Sequence, residues 1–202
     1  MTFETWFLFL LAGIGMSLTP GPNGLLALTH GAMHGSRKTI STIRGGVLGL
    51  TALMALCMFG MGALAEASIW WLAVLKLFGG AYLVWLGIEV WRSPPISVMT
   101  GTTTSSAGRW ELFRTGFLTA ATNPKGLLFF TALLPQFIDP GRSVVLQFAI
   151  IAVTYAVTEF LVEYGFALAA NRMSSWLARA GKRFNQACGA IFMAVGVALP
   201  LR

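Results

Sequence analysis

The sequence predicts an all-α integral membrane protein with six transmembrane helices, arranged as two inverted three-helix repeats in which helices 1 and 4 are broken. Three observations predict this fold. The chain of 202 residues is 56% hydrophobic and only 10% charged, whereas soluble domains carry about 25% charged residues. Similar proline–glycine motifs interrupt two of its apolar segments, at Pro22 and Pro124. A linker rich in serine, threonine and proline separates the two halves.

Six charge-poor segments are long enough to cross a hydrocarbon core, which takes roughly 20 helical residues. Predicted helices 1 to 6 cover residues 5–27, 45–65, 69–91, 113–135, 144–169 and 184–201. The first segment could instead be a cleaved signal peptide, but no basic region precedes Thr5 and no small-residue cleavage site follows. Cys57 and Cys188 fall within helices 2 and 6 without metal or redox spacing, so we expect buried apolar roles for them.

The interruptions in helices 1 and 4 resemble each other. Pro22-x-Gly24-Leu-Leu in the first half returns as Pro124-x-Gly126-Leu-Leu in the second. A proline removes a backbone donor and clashes with the preceding turn, which predicts a broken helix at each motif. Within a membrane, a broken helix is tolerated only where its freed backbone groups are buried in protein or line a wet cavity. Two breaks at corresponding points of two halves are typical of a secondary transporter's substrate site.

The distribution of basic residues predicts the orientation. Ten of them follow helices 1, 3 and 5 and two lie on the opposite side, which predicts that those three segments are cytoplasmic and both termini external. The ten are Arg37, Lys38, Arg44, Arg92, Arg109, Arg114, Arg172, Arg179, Lys182 and Arg183. Because they are scattered over loops, we expect contacts with membrane lipids rather than with nucleic acid, despite the net charge of +7.

The linker divides the chain into a first repeat, residues 1–92, a cytoplasmic segment, 93–108, and a second repeat, 109–202. Three helices per half is an odd number, so the second half must insert upside down relative to the first. The glycines agree with a repeat. Gly80 and Gly87 in helix 3 have the same spacing as Gly189 and Gly196 in helix 6, and such glycines permit close helix packing.

Charged residues within the predicted spans are candidates for function, because a charge at mid-membrane costs about 2.5–3.5 kcal/mol on insertion scales. Lys125 follows the second break directly and is expected to contact a substrate carboxylate or a coupling carboxylate, the alternative being a structural ion pair. Glu159 and Glu163 share one face of helix 5. Buried carboxyls of this kind can exchange protons near neutral pH, so we expect them to couple transport to protons. For Glu163, an interfacial position or a pairing with Arg172 is the alternative.

The other polar residues suggest more modest roles. Asn23 and Asn123 lie beside the breaks, where an amide can satisfy freed backbone groups or bind a ligand. Lys76 is expected to extend to the external interface, and Arg44 to anchor the cytoplasmic edge. His30 and His34 are four residues apart, but without a third ligand they do not predict a metal site.

Several of these segments resemble the LysE/RhtB superfamily of amino-acid exporters. The resemblance rests on Thr19-Pro-Gly-Pro-Asn23, on Gly116-Phe-Leu-Thr-Ala-Ala-Thr-Asn-Pro-Lys125 and on Leu134-Pro-Gln-Phe-Ile-Asp-Pro140. Helix 3, with Leu77-Phe-Gly-Gly-Ala-Tyr-Leu-Val-Trp-Leu-Gly87, and the tail from Arg183 extend the similarity over nearly the whole chain.

The resemblance implies an exporter of amino acids or close derivatives in the bacterial inner membrane, driven as an antiporter by the proton gradient and without a cofactor. The motif positions that it marks as substrate-binding are Pro20, Gly21, Pro22, Asn23, Asn123, Pro124 and Lys125. Glu159 matches the family's acidic position in helix 5, whereas Glu163 is an additional acid and Arg44 replaces a small or apolar residue. Threonine, homoserine and its lactone, leucine-like and basic amino acids all remain open as substrates.

Two other classes of function compete with export. A membrane-embedded enzyme would need a catalytic set, which two isolated cysteines and two histidines do not supply. A metal or ion permease would need clusters of carboxylates or histidines across a pore, and Glu159 and Glu163 are the only pair that suggests one. The small size of a six-helix bundle is compatible with a homodimer.

Overall fold

The computed structural model describes residues 1–19, 21–65, 81, 84, 85, 87–92, 107–139 and 141–198. All regular structure in these ranges is helical, which confirms the all-α prediction for this part of the chain. The long helices are α1 (Phe3–Leu18), α2 (Pro22–His34), α3 (Ser36–Ala65), α4 (Arg109–Ala121), α5 (Pro124–Phe137) and α6 (Val144–Ala198). A short helical stretch covers residues 87–92.

Both predicted interruptions are present. α1 ends at Leu18 and α2 begins at Pro22, and the two axes differ in direction by 53°. α4 ends at Ala121 and α5 begins at Pro124. Proline suits the first position of a helix, because that residue needs no backbone donor and its fixed φ is helical. Each half therefore contains a broken helix followed by a long one, while the inverted relation of the halves remains a prediction.

The turn between α2 and α3 is tight because it contains a glycine with a positive φ. Gly35 has a φ of 77°, a conformation that residues with a side chain rarely adopt, and its N–H donates to the carbonyl of Gly31. α3 can therefore begin immediately afterwards, at Ser36 instead of at residue 45 as the charge pattern predicted.

Two helical segments of the described chain are long and apolar enough to cross a membrane, Ser36–Gly60 and Val144–Ala170. The bent pair of α1 and α2 makes a third if it is counted as one span. Most of predicted helix 3 and nearly all of the 93–108 linker lie outside the described residues. The six-span topology is therefore not confirmed, and predicted helices 5 and 6 lie in one continuous helix.

The boundary predicted between helices 5 and 6 is wrong, because α6 runs without interruption from Val144 to Ala198. Its 55 residues rise about 1.5 Å each, so the helix is far longer than the roughly 30 Å of a hydrocarbon core. The segment that was predicted to be a loop is basic but contains no proline. Its charges disfavour burial in lipid, yet its residues are compatible with a helix.

The helices are apolar outside and polar inside at the level of the breaks. On α6, Val153, Val157 and Leu161 are exposed, whereas Glu159 and Glu163 on another face are buried. α6 packs against α1, α2 and α3. An apolar core lies beside this polar region, formed chiefly by α1, α3, α5 and α6, and includes Phe9, Met54, Phe130, Leu133 and Ile151.

Close helix crossings depend on glycines. α3 packs most extensively against α4, and a Cβ atom on Gly45 would lie only 2.0 Å from the carbonyl oxygen of Phe113. The packing expected at Gly87 and Gly189 is also present, since a Cβ atom on Gly87 would lie 2.7 Å from the carbonyl oxygen of Gly189. The absence of side chains lets these backbones approach each other.

Candidate functional site

A small polar cavity lies where the two helix breaks meet. It has room for little more than one water molecule. α1, α2, α3, α5 and α6 all contribute to its wall. The polar residues that line it are Ser17, Thr19, Asn23, Asn123, Lys125, Tyr155 and Glu159. The breaks thus bring together residues that lie more than a hundred positions apart in the sequence.

The second break is closed by its own side chain. Asn123 is the N-cap of α5, and its Oδ1 accepts hydrogen bonds from the backbone N–H groups of Lys125, at 3.0 Å, and Gly126, at 3.4 Å. These donors would otherwise have no helical partner, because the first N–H groups of a helix never do. The role of Asn123 in this structure is therefore to satisfy freed backbone groups, one of the two roles expected for it.

The first break has no equivalent cap. Gly21 occupies the N-cap position of α2, and no side chain in the described part of the chain caps this helix. The N-terminus of a helix carries a partial positive charge and presents backbone N–H groups. Gly21, Asn23 and Gly24 all line the cavity, so this helix end faces a space that a ligand could share.

Lys125 connects the two breaks. Its Nζ donates to the backbone carbonyl of Thr19 at 2.7 Å and to that of Met16 at 3.3 Å, both at the C-terminal end of α1. The usual helical partner of the Met16 carbonyl would be the N–H of residue 20, but residue 20 is a proline and has none. A cation is also favoured at a helix C-terminus. Lys125 thus satisfies backbone groups that the first break leaves unpaired.

Glu159 lies on the α6 side of the same cavity and is 5% exposed. It accepts a short hydrogen bond from the Ser17 hydroxyl of α1. Tyr155 also lines the cavity, one helical turn earlier on α6. The cavity therefore contains an ammonium group and a carboxyl group, an arrangement that complements the two charges of a zwitterion.

Glu163 is also buried, with 2% of its surface exposed, so its side chain does not reach the surface of the helix bundle, as the interfacial alternative would require. It does not line the cavity. It lies close to Gly46 of α3, as does the amide of Asn23. The side chain of Arg172, the alternative ion-pair partner expected for Glu163, lies outside the described part of the chain.

The remaining predicted residues are distributed as follows. Pro20 and Lys76 lie outside the described residues, and Arg44 is exposed on α3. His30 forms a hydrogen bond at 2.8 Å with Thr42, and its ring contacts that of His34. No group of three metal-ligating residues was found among the described residues.

Three polar cavity residues were not predicted as site residues from the sequence. Ser17 and Thr19 are polar residues in an apolar segment directly before the first break. Their position could therefore have predicted that they line the cavity. Tyr155 lies four residues before Glu159, so helical periodicity alone places it on the face that carries the two acids.

The sequence profile of the LysE type translocator family matches residues 14–202. The chain belongs to the LysE type translocator family. It is therefore a transport protein of the membrane and not an enzyme.

Relatives of this translocator include proteins named for amino-acid efflux. It is 38% identical to the homoserine/homoserine lactone efflux protein of Salmonella typhimurium, over 98% of this chain and 97% of that protein. An uncharacterized membrane protein of Vibrio cholerae is 34% identical over 98% of both chains. A leucine efflux protein of an Enterobacter species is 31% identical over 71% of this chain and 69% of that protein. No solved structure matches the translocator.

Proposed function

We propose that this translocator is a secondary active exporter of small neutral amino acids in the bacterial inner membrane, and that homoserine and homoserine lactone are its substrates. The 38% identity to an efflux protein of that name, over nearly all of both chains, supports this choice. Serine, threonine and asparagine side chains in the cavity wall favour a side chain with a hydroxyl group over the isobutyl group of leucine.

The observation that carries the proposal is the pair of helix breaks around one polar cavity. In our proposal the carboxylate of homoserine, or the ester carbonyl oxygen of its lactone, binds at the N-terminus of α2, where no described side chain supplies a cap. The ammonium group of Lys125 lies beside it, with its side chain 3.3–4.0 Å from the position of a Cβ atom on Gly21. Pro22 and Pro124 begin the helices that follow the breaks, while Asn23 and Asn123 supply amides.

Substrate binding requires this cavity to expand, because homoserine is several times larger than a water molecule. The hydrogen bonds from Lys125 to the end of α1 are the contacts that close the cavity on this side. In our proposal, Lys125 exchanges at least one carbonyl partner for the substrate carboxylate. The bend between α1 and α2 changes with this exchange, and the site opens to alternate sides of the membrane.

The proposed coupling ion is the proton, and Glu159 is the proposed coupling group. A buried carboxylate is tolerated in a membrane protein when it has a partner or when it is protonated. Glu159 is buried in the cavity that contains Lys125 and bonds to Ser17. Protonation of this carboxyl changes the charge of the cavity by one unit, so proton binding and substrate binding influence each other.

The test is export of radiolabelled homoserine from purified translocator in proteoliposomes, with and without a pH gradient. We expect concentrative transport only with the gradient, and we expect Glu159→Gln to abolish it while the protein still inserts. Glu111→Gln is the matched control, because Glu111 is an exposed acid of α4. Gradient-driven transport at the wild-type rate in Glu159→Gln would show that the coupling group lies elsewhere. Absence of homoserine transport by the wild type would contradict the proposed substrate.

A further inference from the structure

A second polar site lies beside the cavity, at the position where residue 46 lacks a side chain. A Cβ atom on Gly46 would lie 3.5 Å from Oε2 of Glu163, 3.6 Å from Nδ2 of Asn23 and 3.9 Å from the carbonyl oxygen of Gly116. These three polar groups belong to α6, α2 and α4. Polar groups of three helices therefore converge on one position beside α3, which we call the Gly46 niche.

The two side chains at the niche carry polar atoms without partners. Both amide atoms of Asn23 and Oε1 of Glu163 are buried without a hydrogen-bond partner in the described part of the chain. Asn23 is 7% exposed and Glu163 is 2% exposed. Unpaired buried polar groups are rare in native proteins and are commonly explained by a bound water, ion or ligand. Two such side chains from different helices, facing one niche, indicate a binding site.

The chemistry of the niche fits a primary ammonium group. An ammonium group has three N–H donors and no acceptor. Glu163 and the Gly116 carbonyl supply two acceptors, and the Asn23 amide, which no partner holds, supplies a third when it turns its oxygen inward. Glu159 adds a second carboxyl one helical turn away on α6. Lys125 of α5 donates to the end of α1, and Arg44, two residues before Gly46 on α3, is exposed.

The niche is also correctly located for a substrate. Asn23 belongs to both the niche and the cavity wall, and it lies in the first turn of α2, where the proposed carboxylate site begins. In an α-amino acid the ammonium and carboxylate groups are attached to the same carbon atom. One substrate molecule can therefore contact the first turn of α2 with its carboxylate and the niche with its ammonium group.

We propose that the Gly46 niche binds the α-ammonium group of the exported substrate, with Glu163 and Asn23 as the recognising residues. This inference rests on the proposed function and makes it more specific. Homoserine and its lactone both carry this ammonium group, whereas only homoserine carries a free carboxylate. The site therefore selects compounds with a free primary ammonium group, accepts the lactone and rejects N-acylated derivatives.

The test uses Gly46→Ala in the full-length translocator, because the added methyl group fills the niche at ordinary contact distances. We expect the KM for homoserine and for homoserine lactone to rise about tenfold or more, as loss of hydrogen bonds to a charged group predicts. Gly60→Ala is the matched control on the same helix, since its Cβ atom would meet nothing within 4 Å. It should keep the wild-type KM.

A wild-type KM in Gly46→Ala would overturn the ammonium site, even if homoserine transport itself is confirmed. The same conclusion would follow if Gly46→Ala changed only the pH dependence of transport, because the niche would then hold a proton or a water. A second measurement needs no variant. N-acetylhomoserine should not inhibit homoserine transport by the wild type at concentrations where the lactone does, and equal inhibition by both would overturn the proposal.

Discussion

Replacement of Lys125 by methionine tests whether this residue holds the first helix break together. The substitution keeps a long side chain but removes the donor to the carbonyls of Met16 and Thr19. Met16 is 4% exposed and Thr19 is 7% exposed, so water replaces the lost bonds poorly. The Met16 carbonyl in addition has no helical donor, because residue 20 is proline.

The expected loss follows from these two contacts. A buried acceptor left without its partner costs about 1–3 kcal/mol, so two carbonyls give a loss of about 2–6 kcal/mol. For a chain of this size, about 1 kcal/mol corresponds to roughly 2–4 °C in the midpoint of unfolding. We therefore expect the apparent melting temperature of Lys125→Met in detergent to fall by roughly 4–24 °C.

Tryptophan fluorescence during heating provides the assay, and Lys182→Met provides the control. Lys182 also donates to a backbone carbonyl, that of Arg92 at 3.1 Å, but the contact is exposed. Its loss should lower the melting temperature by no more than about 2 °C, since water can replace the bond. Equal melting temperatures for Lys125→Met and the wild type would refute the role of Lys125 at the break.

Three further predictions concern packing, capping and orientation. Gly45→Ala should separate α3 from α4, because its Cβ atom would lie 2.0 Å from a backbone oxygen of Phe113. We expect this variant to lose the monodisperse peak in size-exclusion chromatography, whereas the control Gly60→Ala should elute like the wild type. Asn123→Ala removes the cap of α5 and should lower the free energy of unfolding by about 1 kcal/mol. An unchanged melting temperature would contradict the capping role. A cysteine introduced at Arg37 should react with impermeant reagents only from the cytoplasmic side, and labelling in intact cells would reverse the predicted orientation.

The sequence was sufficient to locate the breaks, because their cause is local. Pro22 and Pro124 cannot donate backbone hydrogen bonds, and this holds whatever the surrounding fold. The buried acids were also predictable, since Glu159 and Glu163 lie four residues apart in an apolar segment and share one helix face. Such features follow from the chemistry of one residue or from the period of one helix.

The remainder depends on contacts between distant segments. Nothing local indicates that Lys125 extends to carbonyls of α1 more than a hundred residues earlier, or that Gly46 lies between Asn23 and Glu163. The continuity of α6 was missed for another reason. A basic segment is excluded from hydrocarbon, but only proline or a comparable signal ends a helix.

The central claim is that the cavity between the two breaks binds the exported amino acid, and protection from chemical labelling tests it most directly. A cysteine at Thr19, which lines the cavity, is compared with one at Thr29, which lies outside it, in a background in which Cys57 and Cys188 are replaced. The two threonines are matched, since each donates its hydroxyl to the carbonyl four residues earlier. We expect saturating homoserine to slow methanethiosulfonate labelling at position 19 several-fold and to leave position 29 unaffected. Equal labelling rates at position 19 with and without homoserine, in a protein that transports it, would contradict the account.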